Sequence, residues 1–117
     1  MNILKKNDIW IADLSHTEQG IVAGTFPLGV SCVYSYAKKK LGNDFNFRLF
    51  KFPSDLNEAL TEKSPKILCF SNFVWNFNLS YKFASIAKQR DPNIIIVLGG
   101  PNFPTEQNEK KDFFKKY

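Results

Sequence analysis

The chain has 117 residues, 44% hydrophobic and 15% aromatic, with 12 Phe and a formal net charge of +5. That length suits one domain around a single core and excludes a binding domain joined to a separate catalytic one, and the absence of any long polar tract argues against disorder. The longest apolar run, Ile94 to Leu98, is far short of a membrane span. The N-terminal MNILKKNDIW lacks the apolar stretch and cleavage site of a secretory signal, so the chain reads as cytosolic with no membrane partner.

Strand-like and helix-like patterns alternate from the start. Ile9 to Leu14 reads as a first strand. Pro27 then opens a helix in which Leu28, Cys32, Tyr36 and Leu41 recur near the helical period, and Gly42 closes it as a C-terminal glycine. Lys38, Lys39 and Lys40 crowd the end of this helix. Lysines there favour the helix dipole and keep the surface solvated, and the same holds for Lys110, Lys111, Lys115 and Lys116. No RNA-binding signature or zinc-finger spacing accompanies them, so nucleic acid is not an expected partner.

Phe47 to Phe52 reads as the second strand. Ser54 is a predicted cap for a short helix reaching about Lys63, with Pro65 blocking extension. Lys66 to Ser71 is the third strand. The helix after it carries Leu79, Phe83, Ile86, Ala87 and Arg90, and Asp91-Pro92 ends it. Ile94 to Leu98 is the fourth strand, after which Thr105 is predicted to cap a last helix docked by Phe113 and Phe114. Cys32 and Cys69 have apolar neighbours and no CxxC partner, and they read as buried free thiols.

Four such β-α units require right-handed crossovers and a twisted parallel sheet with spatial order 2-1-3-4, an α/β, flavodoxin-like (Rossmann-like) three-layer sandwich. The third and fourth strands are continuously apolar, as parallel strands covered on both faces are. Ligands of such sheets bind beyond the carboxyl ends of the strands. Three loops meet there: Ser15 to Phe26, Asn72 to Asn78 and Gly99 to Pro104.

The first loop is about a dozen residues long where about 2–6 is usual, which favours a functional role. Gly20 and Gly24 relax its backbone, Ser15, Thr17 and Thr25 offer neutral hydrogen bonds, and Gly29 leaves room beside the following helix. The second loop supplies flat apolar rings in Phe73, Trp75 and Phe77, and amides in Asn72, Asn76 and Asn78. Its other reading is structural, with Asn76 or Asn78 capping the next helix while Phe77 packs inward. In the third loop, Gly99 and Gly100 open the backbone to close approach, and Pro101 and Pro104 hold it extended around Asn102 and Phe103.

The phosphate-binding GxxxxGK[ST] and GxGxxG signatures are missing, and Ser71 stands where a phosphoreceiver needs a carboxylate. No carboxylate pair or Cys/His cluster converges on the loops. The domain is therefore read as a binding module without catalytic residues.

Pro27-Leu28-Gly29-Val30, Ser71-Asn72-Phe73-Val74-Trp75-Asn76 and Val97-Leu98-Gly99-Gly100-Pro101-Asn102 resemble, in order and spacing, the N-terminal cobalamin-binding domains of radical-SAM proteins. The resemblance spans nearly the whole chain, 1–117 as one cobalamin-binding-like domain. It implies a corrinoid held by Ser15, His16, Thr17, Leu28, Gly29, Ser71, Asn72, Phe73, Val74, Trp75, Asn76, Gly99, Gly100, Pro101, Asn102 and Phe103. Other cobalamin domains carry DxHxxG, whose histidine binds cobalt. Here Asp13-Leu14-Ser15-His16-Thr17-Glu18-Gln19-Gly20 has the wrong spacing, so His16 is not expected to do so. CxxxCxxC is also absent, which places any iron–sulfur cluster and S-adenosylmethionine in a radical-SAM domain elsewhere in the same polypeptide.

The resemblance further implies a fifth strand beyond the last helix. Without it the fourth strand exposes an apolar edge that the C-terminal segment or a second copy of the chain would have to cover, and cobalamin binding by residues 1–117 alone is expected to be weak. Two other readings stay open on the residues: a flavodoxin-like FMN protein with phosphate at Ser15 to Gly20, and a docking domain with no ligand.

Overall fold

The structure is a computed structural model that describes residues 6–16 and 26–117. It contains β1 (Asn7–Ala12), α1 (Leu28–Leu41), β2 (Phe45–Phe50), α2 (Pro53–Glu62), β3 (Ile67–Ser71), α3 (Phe77–Arg90), β4 (Ile95–Gly99) and α4 (Gln107–Lys116). The strands form one sheet in the order β2-β1-β3-β4, with every neighbouring pair parallel. This is the flavodoxin-like α/β arrangement that the alternation of patterns predicts.

Pairing register decides which side chains share a face. Arg48, Trp10, Leu68 and Ile96 form one row across the sheet, and Phe50, Ala12, Phe70 and Leu98 form the next. Trp10, Leu68 and Phe70 are fully or almost fully buried, and they pack with Leu56, Ala59 and Leu60 of α2 and Phe83, Ala84 and Ala87 of α3. Each large apolar side chain buried in this way contributes roughly 1.5–3 kcal/mol, so this side holds most of the stability.

The opposite face carries Phe47, Ile9, Ile67 and Ile95, then Leu49, Ile11, Cys69 and Val97. Helix α1 lies over β2 and β1, with Tyr34 edge-on to Phe47 at 6.4 Å, and Ile9 and Ile11 are buried. On β4, by contrast, Ile95 is 49% and Val97 44% exposed. The apolar run of β4 is therefore not covered on both sides by the described residues.

Several boundaries differ from the sequence reading. Strands β1 and β2 each start and end two residues earlier, because Asn7 and Asp8 join the ladder opposite Phe45 and Asn46. Asp8 is tolerated there because Lys63 Nζ pairs with its carboxylate at 2.5 Å. Helix α2 is entered from Phe52 with Pro53 in its first turn, so Ser54 lies inside the helix, and Glu106 rather than Thr105 precedes α4. Proline suits that first turn because its fixed φ is already helical and its missing N–H has no intrahelical partner to lose. Gly42 does end α1, but at φ −65, a right-handed value that any residue adopts.

The apolar stripe of α1 is also corrected. Leu28 and Tyr36 are 65% and 66% exposed, and Cys32 is exposed rather than buried, whereas Val30, Tyr34 and Ala37 are half-buried. The helix is apolar on two sides, so periodicity alone does not choose between them. In α4, Phe113 docks against Phe77 at 5.8 Å, but Phe114 stays 71% exposed. No described helix is long and apolar enough to cross a membrane.

Candidate functional site at the C-terminal edge of the sheet

Because β1 stops at Ala12, Asp13 leaves the strand and stands at the sheet edge. Two bonds to the chain after β2 guide the loop onward, Asp13 N–H to the Phe50 carbonyl at 2.9 Å and Ser15 N–H to the Lys51 carbonyl at 3.1 Å. They bring His16 to the second loop, with Nε2 2.8 Å from the Trp75 carbonyl. A carbonyl only accepts, so Nε2 is the protonated nitrogen of the ring. Thr17, with Gly20, Gly24 and Thr25, lies outside the described residues.

The second loop is a tight turn closed by Asn76. Its Oδ1 accepts from the Phe73 N–H at 2.8 Å, its own N–H donates to the Phe73 carbonyl at 3.3 Å, and its Nδ2 donates to the Leu14 carbonyl at 3.2 Å. A longer contact of 3.5 Å joins Nδ2 to Asp13 Oδ1. Asn76 holds the N-cap position of α3, yet its side chain makes no cap bond and serves the two loops instead. Above it, Phe73 and Trp75 stack with centroids 4.5 Å apart and planes within 8°. The indole is 64% and Val74 79% exposed, while Phe77 packs inward at 8%.

The third loop is drawn against the second. Asn72 N–H donates to the Gly99 carbonyl at 2.6 Å, and Asn72 and Asn102 bond through both backbone and side chains. Gly100 has φ +121, and a Cβ there would meet the Asn72 carbonyl oxygen at 2.7 Å. The close approach that this glycine allows is therefore to the chain's own backbone. Among the described residues, a Cβ at Gly99 or Gly29 would instead meet nothing within 4 Å. Phe103 turns to α4, edge-on to Phe113 at 5.3 Å, and forms with Pro101 and Pro104 one wall of a cleft of about 510 Å³ against that helix.

The structure thus brings Ser15, His16, Asn72 to Asn76 and Gly99 to Asn102 to one edge, with Ser71 paired to Gly99 just beneath. Leu28 and Gly29 are exposed at the start of α1. The amides of Asn72, Asn76 and Asn102 are spent on one another and on the loops. Asp13 was hidden in the sequence reading, which placed it within strand one; a carboxylate closing an apolar run is the signal that marks a strand end. Burial raises its carboxyl above the ordinary 3.8, and Lys51 partly offsets this. Among the described residues no His, Cys, Asp and Glu cluster is arranged to hold a metal ion.

Fold and edge together define a parallel α/β domain whose described loop residues are bonded to one another at one edge of the sheet. No protein-family model matches the chain. Over 95 residues, 78% of the chain, it is 30% identical to the 2-(S-pantetheinyl)-carbapenam-3-carboxylate methyltransferase of Streptantibioticus cattleyicolor. Over 53 residues, 45% of the chain, it is 40% identical to the cobalamin-dependent radical SAM methyltransferase TokK of Streptomyces tokunonensis. The aligned stretches span only 14% and 7% of those two proteins. The resemblance to radical-SAM cobalamin-binding domains, read from three motifs, is borne out by these similarities.

Proposed function

We propose that the chain is the cobalamin-binding module of a radical-SAM enzyme and seats the corrinoid over the C-terminal ends of β1, β3 and β4. The observation that carries this is the Phe73–Trp75 stack, a flat apolar surface with an exposed indole on the same edge as Gly99, where a Cβ would meet nothing within 4 Å among the described residues. A corrin is a broad, largely apolar disc fringed with amides, and a rim of flat rings, small residues and neutral polar groups fits it. With the three asparagines engaged internally, its amides are left to Ser15, Ser71 and the loop backbones. Cobalamin supplies the organometallic chemistry when bound; the residues of this chain bind and orient it. Iron–sulfur and S-adenosylmethionine chemistry belongs to a radical-SAM domain of the same polypeptide.

The reading includes a fifth strand beside β4. Ile95 and Val97 are exposed on one face of β4, and on the other Ile96 and Leu98 line a groove of about 410 Å³ with Tyr81, Phe113 and Phe114. A strand with apolar residues on both faces fills both sides at once.

The test is to purify the longer polypeptide and record its absorbance after hydroxocobalamin and FMN are offered separately. A corrinoid spectrum that is lost in Gly99→Val supports the proposal. A flavin spectrum, or a colourless protein after both, overturns it.

A further inference from the structure

We propose that His16 is a latch that presets Trp75: a positioning residue acting through the Trp75 carbonyl. An indole that is 64% exposed is not fixed by burial. What fixes it is the stack on Phe73 and the anchoring of the turn beneath. Asn76 closes that turn from inside, through the Phe73 N–H and carbonyl. Among the described residues, what ties Trp75 itself to another loop is the bond of 2.8 Å from His16, 59 residues away in sequence. Because Nε2 carries the proton in that bond, this nitrogen is occupied in holding the platform.

The latch exists without a ligand and can be read without one. The chain has 2 Trp, and Trp10 is 0% exposed, so collisional quenching by acrylamide reports on Trp75. His16 is exposed, so substituting it leaves the core intact. In the ligand-free protein, His16→Ala is expected to lower the tryptophan anisotropy and raise the quenching constant. His16→Gln, which keeps an N–H at similar reach, restores both. Unchanged anisotropy and quenching in His16→Ala overturn the latch, and so does a change that Gln does not reverse.

The second arm rests on the cobalamin reading. The affinity of the longer polypeptide for hydroxocobalamin is expected to fall roughly three- to tenfold in His16→Ala, the span of one net hydrogen bond, and to recover in His16→Gln. Unchanged affinity in His16→Ala would remove the latch's part in ligand binding. If the unsubstituted protein binds no hydroxocobalamin while the fluorescence arm behaves as stated, the latch stands and the cofactor assignment falls.

Discussion

Asn72 and Asn102 hold each other three times: the Asn102 N–H donates to the Asn72 carbonyl at 3.2 Å, Asn72 Nδ2 to the Asn102 carbonyl at 2.9 Å, and Asn102 Nδ2 to Asn72 Oδ1 at 3.3 Å. Asn72 is 2% exposed, so truncating it leaves buried partners unsatisfied. Asn72→Ala is expected to cost about 1–3 kcal/mol in urea unfolding. In a double-mutant cycle with Asn102→Ala the two losses add to more than the double variant shows, with a coupling of about 1 kcal/mol. Strict additivity would show that the pair is not energetically joined.

Adjacent glycines should behave differently. Gly100→Ala forces a side chain into a left-handed conformation and against the Asn72 carbonyl, and is expected to lower the unfolding free energy by roughly 1–3 kcal/mol, read as a lower urea midpoint at unchanged m-value. Gly99→Ala meets nothing within 4 Å among the described residues and is expected to change stability by no more than about 1 kcal/mol, with its main effect on ligand binding. Equal stability losses at the two positions would contradict this geometry.

Asp13 makes the protein less stable as it ionises. Its folded value is raised above the ordinary 3.8 chiefly by burial, so the uncharged form is favoured in the fold; the contribution is fully present below 3.8 and is lost as pH rises through the folded value. Asp13→Asn keeps an acceptor for Asn76 and removes the charge. It should therefore stabilise the protein at about pH 7 and lose that advantage on acidification below the carboxylate range. Urea midpoints at several pH values measure this, and an advantage that grew on acidification would reverse the sign.

The two thiols should separate by rate. Cys32 is exposed on α1, whereas Cys69 is half-buried in β3 and burial pushes its thiol above the ordinary 9.0. Brief treatment with iodoacetamide followed by peptide mass spectrometry should find Cys32 modified first. Equal labelling in the folded state would mean that β3 is more open than the structure shows.

Val97 tests the fifth strand. At 44% exposure, Val97→Thr is expected to cost no more than about 0.5 kcal/mol in residues 1–117. In the longer polypeptide, where the proposed strand packs beside β4 and fills both sides of it, the same change should cost about 1–3 kcal/mol, because a hydroxyl is then buried. Equal costs would leave β4 as a true edge.

Alternation of apolar runs with helical periods made the element order and sheet order legible, since both follow from the layering of a parallel sheet. The three loops were legible for the same reason. What sequence did not show was the use of the asparagines: an amide in a loop looks the same whether it faces a ligand or, like Asn76, a carbonyl 62 residues away. The buried side of α1 was hidden because Leu28 and Tyr36 are as apolar as Val30 and Tyr34. Asp8 was left out of the first strand because its partner, Lys63, lies on another element.

The central position of β1 also sets an order of assembly during synthesis. Its two edges are filled by β2 and β3, so β1, synthesised before both, pairs with Phe45–Phe50 on one side and waits for Ile67–Ser71 on the other. Until then Trp10 lacks Leu68 beside it and the Phe83 of α3 above the sheet, and the nascent chain carries a tryptophan and two isoleucines without their final cover. Mutations that slow the closing of β3 onto β1 would therefore lengthen the interval in which these residues are open to chaperones, an effect on yield in the cell that equilibrium stability does not report.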